Sequence, residues 1–232
     1  MGDLLVKDKE LVIPGQDLAT GMDFLPASGT FRDNDKIVAT QLGSVSVNGR
    51  LIKIMPLNGR YIPKRGDIVI GKIVDMNFSN WFVDIGYAND AVLSSKEISV
   101  DYVEKGTDLS QYYDLGDYIA AGITNVSKLK LIDLTMRGQG LRKLTNGRII
   151  KISSVKVPRL IGKEGSMISM IKDITECKIM VGQNGLVWIN GPDGKKELLA
   201  VEAINLISEK TQEPNLTEKV KEFLEKRKKE NV

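Results

Sequence analysis

Two glycines that flank a lysine–glutamate pair make residues 162–165 the segment of this chain best suited to contact a charged ligand. A helix with one buried face is expected directly after it, because apolar residues recur at helical spacing at Met167, Ile168, Ile171 and Ile174. A Gly-x-x-Gly turn before a helix carries no Cβ to keep a nucleic-acid backbone away. Free backbone N–H groups and the positive end of the helix dipole then face the phosphates. The spacing therefore predicts a phosphate-contacting loop.

The elements after this loop indicate how it is held in place. We expect a strand at 177–181, a polar turn at 182–185, a strand at 186–189, and an apolar-faced helix from about Lys196 to Glu209. This order is typical of a KH domain, whose loop clamps about four nucleotides of single-stranded RNA. We therefore predict an α/β KH domain over residues 145–212. Its candidate RNA-binding residues are Arg159, Gly162, Lys163, Gly165 and Ser166.

A second module, predicted over residues 63–144, contains an internal repeat. Gly66-Asp67 and, 50 residues later, Gly116-Asp117 each open a strand with a glycine near its middle. Such a glycine is typical of the sharply coiled strands of a small barrel. Because an aromatic strand at 78–86 lies between the two repeats, the pattern predicts a five-strand OB-type barrel, a fold that binds oligonucleotides.

Three aromatic residues of this module, Phe78, Trp81 and Phe82, are candidates for stacking on RNA bases. A stacked base contributes about 1–3 kcal/mol. Because successive strand residues face opposite ways, Trp81 and Phe82 cannot both face RNA. We favour Phe78 and Phe82 for RNA and expect Trp81 in the core or in an interface. Trp188 is expected to pack under the edge of the KH sheet.

The basic residues are dispersed and the net charge is only +3, so any RNA-binding surface must be local. The candidates for an electropositive pore rim are a pair at a domain junction and a pair in a polar turn: Lys64, Arg65, Lys128 and Lys130. A solvated hairpin tip explains the two turn lysines equally well. Four more cations surround a glycine-rich connector: Arg137, Arg142, Lys143 and Arg148. The sequence leaves open whether these four contact RNA or a partner protein.

Catalysis by this chain is not expected. The chain contains no histidine, which excludes imidazole catalysis and His-ligated metals, and its one cysteine, Cys177, leaves no Cys-cluster metal site. Asp67 and Asp117 follow glycines and are interpreted as turn residues. Asp84 belongs to the barrel pattern, so a nuclease-type cluster of these carboxylates with Asp75 is disfavoured. We predict no catalytic residue, no metal and no cofactor.

Residues 1–62 indicate a small β domain with a hairpin turn at Asn48-Gly49, which makes the chain mainly β and multidomain. Residues 213–232 predict a charged C-terminal helix with a solvated tail at 226–229 and a thin apolar stripe at Leu216, Val220, Phe223 and Leu224. The single cysteine and the lack of a signal peptide or membrane-length apolar run predict a reduced, cytoplasmic protein with no membrane contact.

Taken together, these segments resemble the S1/KH cap subunits of archaeal exosomes over nearly the whole chain. The matching segments are residues 12–15, 43–49, 56–63, 66–71, 80–86, 138–144 and 161–168. The order of an N-terminal β domain, an S1-type OB barrel and a KH domain is specific to that family. Two residues depart from the expected pattern, since Ser94 stands where many S1 domains have a histidine and Glu164 adds a negative charge to the KH loop.

The resemblance implies a non-catalytic RNA-binding subunit. Three copies, alone or mixed with another cap protein, would cap a hexameric ring of RNase-PH-like subunits. The N-terminal domain would contact the ring, the S1 barrels would surround the entry pore, and the KH domains would lie outside. The cap would capture single-stranded RNA, with a preference for A-rich tails, for 3′–5′ degradation by the ring.

Two other functions remain open at the level of sequence. Translation and transcription factors also join S1 to KH, so a free-standing RNA-binding factor is the first alternative, although such factors usually carry two KH units and lack this N-terminal block. The second is a hydrolytic nuclease that uses a carboxylate-bound metal.

Overall fold

The architecture comes from a computed structural model that describes residues 2–57, 59–98, 109–209 and 216–230. The chain forms two compact units, residues 1–59 and 60–232. The predicted fold class is confirmed: a small β unit comes first, and a barrel and a KH domain with a C-terminal helix follow. No helix in the described ranges is long and apolar enough to span a membrane.

The described part of the first unit contains seven short strands. Their bounds are β1 Leu11–Val12, β2 Asp17–Thr20, β3 Leu25–Pro26, β4 Thr30–Asp33, β5 Lys36–Ala39, β6 Gly43–Asn48 and β7 Leu51–Pro56. They form a four-stranded sheet in the order β1-β6-β7-β3 and a three-stranded sheet in the order β2-β5-β4. Residues of both sheets, such as Leu18, Ile37 and Ile52, are fully buried in one shared core.

The predicted hairpin joins β6 to β7, but its turn lies one residue further along the chain. Asn48 pairs with Leu51, so the two turn residues are Gly49 and Arg50. Gly49 has a φ of 59°, a left-handed conformation that glycine adopts without a steric penalty. The glycine, rather than the asparagine before it, therefore opens the turn.

The barrel is closed by five strands, as predicted. Their bounds are β8 Ile68–Met76, β9 Asn80–Asp84, β10 Ala91–Ser94, β11 Tyr118–Val126 and β12 Ile132–Thr135. β12 pairs with both β10 and β11, which closes the sheet on itself. A further strand, β13 Arg142–Leu144, pairs with β11. A Cβ at the mid-strand Gly71 would lie 2.4 Å from Cγ1 of Val83, so only glycine fits where the wall coils.

The internal repeat of the sequence forms two equivalent turns. Gly66 and Gly116 have φ of 89° and 91°. The carboxylates of Asp67 and Asp117 each accept the backbone N–H three residues earlier, at 3.2 and 2.7 Å. The strands that follow, β8 and β11, pair with each other in antiparallel register. The prediction that both aspartates are turn residues is confirmed.

The KH domain has the predicted order of elements. Its strands are β14 Arg148–Lys151, β15 Lys178–Val181 and β16 Leu186–Asn190, and its helices are α1 Val157–Ile161, α2 Ser166–Thr175, α3 Gly194–Glu209 and α4 Leu216–Glu230. The sheet order is β14-β16-β15. The predicted helical stripe of α2 is buried at Met167, Ile168 and Ile171, and Cys177 is buried in the same core.

The C-terminal helix α4 is part of this core. Leu216, Val220 and Leu224 are buried among the other KH residues, and Phe223 packs against them, so the predicted apolar stripe attaches the helix to the KH domain. In the predicted solvated tail, Arg227 instead pairs with Glu202 at 3.6 Å and lies over the Phe223 ring. The side chains of residues 228–229, which complete that tail, lie outside the described residues.

The barrel and the KH domain share a small apolar cluster of Ile70, Ala120, Leu144 and Trp188. The prediction that Trp188 packs in the interior is confirmed, but its position under the sheet edge is wrong. The indole lies on the central strand β16, because the barrel covers that face of the sheet. Its Nε1 donates to the Asn146 carbonyl at 2.7 Å.

The polar turn between β15 and β16 joins the KH domain to the barrel. Asn184 is buried, and its amide donates to the carbonyls of Ile70 and Ile85 at 2.7 and 2.9 Å. Its side-chain oxygen accepts the Ile70 N–H at 3.3 Å. The backbone N–H of Gln183 donates to the Ile68 carbonyl at 2.8 Å. This turn therefore holds the two RNA-binding candidates in one unit.

Candidate nucleic-acid interface

The Gly-x-x-Gly loop lies between α1 and α2, where the sequence predicts it. Gly162 and Gly165 have φ of 77° and 80°, which favour glycine. The loop begins with the Gly162 N–H donating to the Pro158 carbonyl at 3.0 Å. Gly165 directly precedes α2, and no described side chain caps the start of that helix. The Ser166 N–H donates to the Lys163 carbonyl, so the N–H groups that α2 can offer to an anion are those of the residues after Ser166.

The two glycines have different roles in this geometry. A Cβ at Gly162 would lie 2.8 Å from both Cβ and N of Met167, whereas a Cβ at Gly165 would meet nothing within 4 Å. Gly162 thus permits the close packing of the loop on α2. Gly165 leaves open space directly before α2. Aspartate at Gly162 would disturb the loop itself, so Gly165 is the better position for testing RNA contact.

The structure brings the predicted KH residues together at this loop. Arg159 is exposed on α1, and Lys163 and Ser166 are exposed in and directly after the loop. Glu164 lies between the glycines with a left-handed φ of 54° and an exposed side chain. Its carboxylate offsets the charge of Lys163 in the loop.

The barrel orients its aromatic residues as the strand alternation predicts. Trp81 is fully buried, with its Nε1 donating to the Tyr113 carbonyl at 3.0 Å and its ring 5.3 Å from that of Tyr113. Phe82 is half-buried on the outer face and pairs with Val92 of β10. The prediction that the two rings face opposite ways is confirmed, and Phe82 is the ring that a ligand can reach.

Phe78 lies at the apex of the β8–β9 loop. The Asn77 side-chain oxygen accepts the backbone N–H groups of Ser79 and Asn80 at 3.0 and 2.8 Å, which fixes the turn. The Phe78 ring is 100% exposed, so it contributes no buried area to the fold. A ring held outward on an ordered turn is available for stacking on a base.

The four predicted rim cations lie at one end of the barrel. Lys64 and Arg65 precede β8, and Gly122 of β11 pairs with Ile68 at the start of that strand. β11 then ends at Val126, directly before the exposed turn that carries Lys128 and Lys130. The Asn89 amide donates to the Lys130 carbonyl at 3.4 Å and connects this turn to the β9–β10 loop.

Phe78 lies at the opposite end of the barrel. β8 has nine residues; at a rise of about 3.3 Å per residue, it separates the two ends by about 26 Å. The predicted barrel residues therefore form two separate patches, cations at one end and Phe78 at the other, with Phe82 on the wall between them. One nucleotide cannot contact both patches, whereas an extended nucleic-acid strand that runs across the wall is long enough to do so.

The wall around Phe82 is acidic. Asp75 is the cross-strand partner of Phe82, and Asp84 lies two residues further along the same face of β9. Asp133 pairs with Val92, and all three carboxylates are exposed. Ser94 lies on this face too and pairs with Asn80, in the place where a histidine would be expected. Lys72 is the cross-strand partner of Asp84 on the same face, so the wall carries one exposed cation beside these three carboxylates.

The connector cations fall into separate environments. Lys143 forms an ion pair with Asp117, and the Arg148 Nε lies 3.0 Å from Oε2 of Glu197. Arg142 lies over the Trp188 ring at 5.6 Å from its centroid. Arg137 is exposed. Two of the four cations thus stabilise the fold through carboxylates, and Arg142 is held by an aromatic ring.

The carboxylates do not form a metal centre in the described part of the chain, where no three His, Cys, Asp or Glu side chains gather. Asp67 and Asp117 cap their own turns, and Asp84 accepts the Gly86 N–H at 2.7 Å. Asp67 also accepts from the Tyr61 hydroxyl at 2.7 Å. Burial and this hydrogen bond raise the pKa of Tyr61 far above its usual value.

The first unit presents an apolar face that the sequence reading missed. On the outer face of the β1-β6-β7-β3 sheet, Leu25 pairs with Leu51, and Ser44 of β6 pairs with both Leu11 and Met55. These four apolar side chains are between 40% and 57% exposed. The sequence signal for this face is Leu51 and Met55, four residues apart on β7, with Lys53 between them on the same side. We name it the outer apolar face.

Comparison with known proteins gives consistent matches. A family model for the RRP4 S1 domain matches residues 60–125, and a KH-domain model matches residues 147–195. A protein of Thermococcus kodakarensis called exosome complex component Rrp4 is 44% identical over 227 residues, which cover 97% of this chain and 88% of that protein. One of the same description from Methanothermus fervidus is 40% identical over 95% of this chain and 97% of its own length.

A solved structure agrees with these sequence matches. A crystal structure described as that of a candidate exosome complex RNA-binding protein has 35% identity and a TM-score of 0.67. The similarity covers 75% of this chain and all of that one.

Proposed function

This chain belongs to the Rrp4 family of exosome complex components, and we propose that it is a non-catalytic subunit that captures single-stranded RNA for an exosome ring. The observation that carries the proposal is the joint at Asn184, which holds a KH loop and an OB-type barrel in one unit. Two single-strand-binding modules fixed to each other give one RNA strand a continuous set of contacts.

The proposed RNA contacts are made by cationic, aromatic and loop-backbone groups that a strand can reach. In the KH domain they come from the Gly-x-x-Gly loop and its flanks: Arg159, Gly162, Lys163, Gly165 and Ser166. In the barrel they come from two exposed ends and the wall between: Lys64, Arg65, Lys128, Lys130, Phe82 and Phe78. We set the domain limits at 62/63, 144/145 and 212/213, with α4 completing the KH core.

The proposed partner is a hexameric ring of RNase-PH-like subunits, capped by three copies of this chain, alone or together with another cap protein. The outer apolar face of the first unit is the surface that would contact the ring. Leu11, Leu25, Leu51 and Met55 expose apolar area on this face, in two pairs separated by Lys53 and Ser46, and exposed apolar area of this kind is found at protein interfaces. We also propose that the barrel end with four cations lines the RNA entry.

In this proposal the ring breaks the phosphodiester bonds and the cap raises RNA capture. Individual sites are weak, because Glu164 lies in the KH loop and carboxylates surround Phe82. Three linked copies offset this weakness, since a second and third contact form at high effective concentration. Stacking on Phe78 and Phe82 selects by stacking strength and not by base-edge hydrogen bonds, which is compatible with a preference for A-rich tails.

The free-standing translation or transcription factor gains no support from relatives that match almost end to end and are described as exosome components. Co-elution tests the choice directly. The chain is mixed with purified RNase-PH-like ring subunits, and the complex is measured by size-exclusion chromatography with light scattering. We expect three copies per ring.

A matched pair of variants makes the assembly test specific. The double variant Leu51→Lys/Met55→Lys should stay folded but elute apart from the ring, because charge is placed on the outer apolar face. Leu198→Lys, at an equally exposed leucine on α3, should assemble normally. A wild-type chain that elutes apart from the ring would contradict the proposal.

A further inference from the structure

A small pocket lies between the barrel strand β13 and the KH sheet, apart from the Gly-x-x-Gly loop. Its volume is about 310 Å³, near the lower end of the range of about 300–1,000 Å³ that is typical of ligand sites. Residues of the barrel and of the KH domain both line it. The lining residues that matter here are Arg142 and Lys143 from β13, Asn146 from the connector, and Lys178, Trp188 and Asn190 from the KH sheet. We name it the seam pocket.

The seam pocket is positively charged. Three of its lining residues are cations and none is a carboxylate. Lys143 is paired with Asp117. Within the described ranges, however, the side chains of Arg142 and Lys178 have neither an ion pair nor a hydrogen bond. Glu197, on the neighbouring α3, is already engaged by Arg148 and by the Gly191 N–H. Two cations without a carboxylate partner therefore face the same space.

Arg142 is held ready for a ligand. Its guanidinium carbon lies 5.6 Å from the centroid of the Trp188 ring. That ring is only 5% exposed and is fixed by the hydrogen bond from its Nε1 to the Asn146 carbonyl. Stacking on an aromatic face leaves the N–H edge of a guanidinium free for a bidentate contact with a phosphate. The fold therefore already restricts the Arg142 side chain, so a ligand that binds it causes a smaller loss of conformational entropy.

Lys178 lies at the end of α2 that is far from the Gly-x-x-Gly loop, because the loop precedes the ten residues of α2 and β15 follows them, a separation of about 15 Å along the helix. Lys178 begins β15, which pairs with β16 alone in the described sheet and so forms its edge. Ile179 points into the KH core under the helices, whereas Lys178 and Met180 alternate to the opposite, barrel side. The helix that follows the Gly-x-x-Gly loop thus lies on one side of this edge strand, and the seam pocket lies on the other.

We propose that the seam pocket binds one phosphodiester group of a single RNA strand as it passes from the KH loop to the barrel, with Arg142 and Lys178 as its ligands. The inference rests on the proposed RNA-binding function and adds a contact between its two modules. The pocket has no sequence preference, because cations that contact a phosphate do not contact the bases. The sequence left open whether Arg142 contacts RNA or a partner protein. This proposal assigns Arg142 to RNA.

The test measures binding of the full chain to RNA of two lengths across a salt series. A four-nucleotide RNA fills the KH loop alone, whereas a twelve-nucleotide RNA also reaches the seam. The variants are Lys178→Gln and Arg142→Gln/Lys178→Gln. Lys151→Gln is the matched control, at an exposed lysine on β14, the opposite edge of the same sheet. Thermal unfolding checks that each variant is folded, and the single Lys178→Gln variant removes only an exposed side chain.

For the longer RNA, the double variant should lose the one phosphate contact of the pocket, which reduces the magnitude of the slope of log affinity against log salt by about 0.7. The ratio of the wild-type affinity to the double-variant affinity then shrinks about 2.6-fold between 0.05 and 0.2 M salt. Binding of the four-nucleotide RNA should not change, and Lys151→Gln should match wild type with both lengths.

Three results would overturn the assignment. Equal loss on both RNA lengths would place these cations in the KH site, and no change on the longer RNA would mean that no phosphate binds there. If micromolar adenosine monophosphate reduced the affinity for the longer RNA to that for the four-nucleotide RNA, the pocket would be a mononucleotide site. A wild-type chain that binds neither RNA would instead contradict the proposed function itself, and with it the seam contact.

Discussion

Asn184 of the KH domain and Ile70 of the barrel exchange two hydrogen bonds although they are 114 residues apart in the sequence. The Ile70 N–H donates to the Asn184 side-chain oxygen at 3.3 Å, and the Asn184 amide donates to the Ile70 carbonyl at 2.7 Å. On that side of β8 the pairing with β9 begins only at Lys72. The side-chain amide therefore takes the place of a missing strand and fixes the KH domain to the barrel.

Replacing Asn184 with alanine should destabilise this joint. It leaves buried backbone groups of Ile70 and Ile85 without a partner, and each such group costs about 1–3 kcal/mol. We expect a total loss of roughly 3 kcal/mol or more, measured by denaturant unfolding, with faster amide hydrogen exchange at Ile70. Asn205→Ala, on an exposed face of α3, should be neutral or slightly stabilising. Equal stability of Asn184→Ala and wild type would show that the joint is not formed in solution.

The two adjacent aromatic residues of β9 should respond in opposite ways. Trp81→Ala empties the barrel core and should cost about 3–5 kcal/mol of unfolding free energy. Phe82→Ala should leave the barrel folded but weaken single-stranded RNA binding by about 1–3 kcal/mol, the contribution of one stacked base. Thermal unfolding and RNA titration of the same preparations separate these effects. A folded Phe82→Ala variant that binds RNA like wild type would remove Phe82 from the interface.

The cations at the rim end of the barrel should act as point charges on RNA. In a chain assembled with its ring, Lys128→Gln/Lys130→Gln should flatten the salt dependence of RNA binding by about 0.7 log–log units per lost phosphate contact. Base preference should persist, because stacking on Phe82 does not depend on those charges. Assembly should persist too, since the outer apolar face is in the other unit. Intact salt dependence combined with lost assembly would assign this turn to a protein interface.

Glu197 should make part of the KH stability depend on pH. The Gly191 N–H, followed by Arg148, lowers the pKa of the Glu197 carboxyl below its usual value. A carboxyl with a folded pKa below its unfolded pKa stabilises the native state above the unfolded value, and this contribution is lost as pH falls through the lower folded value.

Glu197→Ala should therefore cost about 0.5–1.5 kcal/mol at neutral pH. The difference from wild type should shrink as the solution is acidified below the usual glutamate pKa of about 4.3. Denaturant unfolding at several pH values measures it. The control is Glu209→Ala at the exposed end of the same helix, where an acid gains nothing from the dipole. A difference that grows on acidification would contradict this account of Glu197.

The sequence was most informative where the controlling interaction is local. The Gly-Asp repeat predicts both turns because Asp67 and Asp117 bond to backbone only three residues away. Strand alternation likewise separates Trp81 from Phe82. Asn184 appears in the sequence only as part of a polar turn, because its partners come from a distant strand.

Other features depend on pairing between distant segments in the same way. The outer apolar face arises when β1, β3 and β7 bring Leu11, Leu25, Leu51 and Met55 onto one side of a sheet. The seam pocket needs β13 of the barrel beside β15 and β16 of the KH domain. Nothing in the local spacing of Arg142 or Lys178 indicates that they face the same space.

The most direct test of the central claim measures the rate at which purified RNase-PH-like ring subunits degrade a single-stranded RNA with inorganic phosphate. The rate is measured with and without this chain, at RNA concentrations below saturation. We predict that the wild-type chain accelerates degradation, that Leu51→Lys/Met55→Lys gives no acceleration, and that the chain alone degrades nothing. An unchanged rate with the wild-type chain, or cleavage by the chain without the ring, would contradict its role as a non-catalytic RNA-capturing subunit.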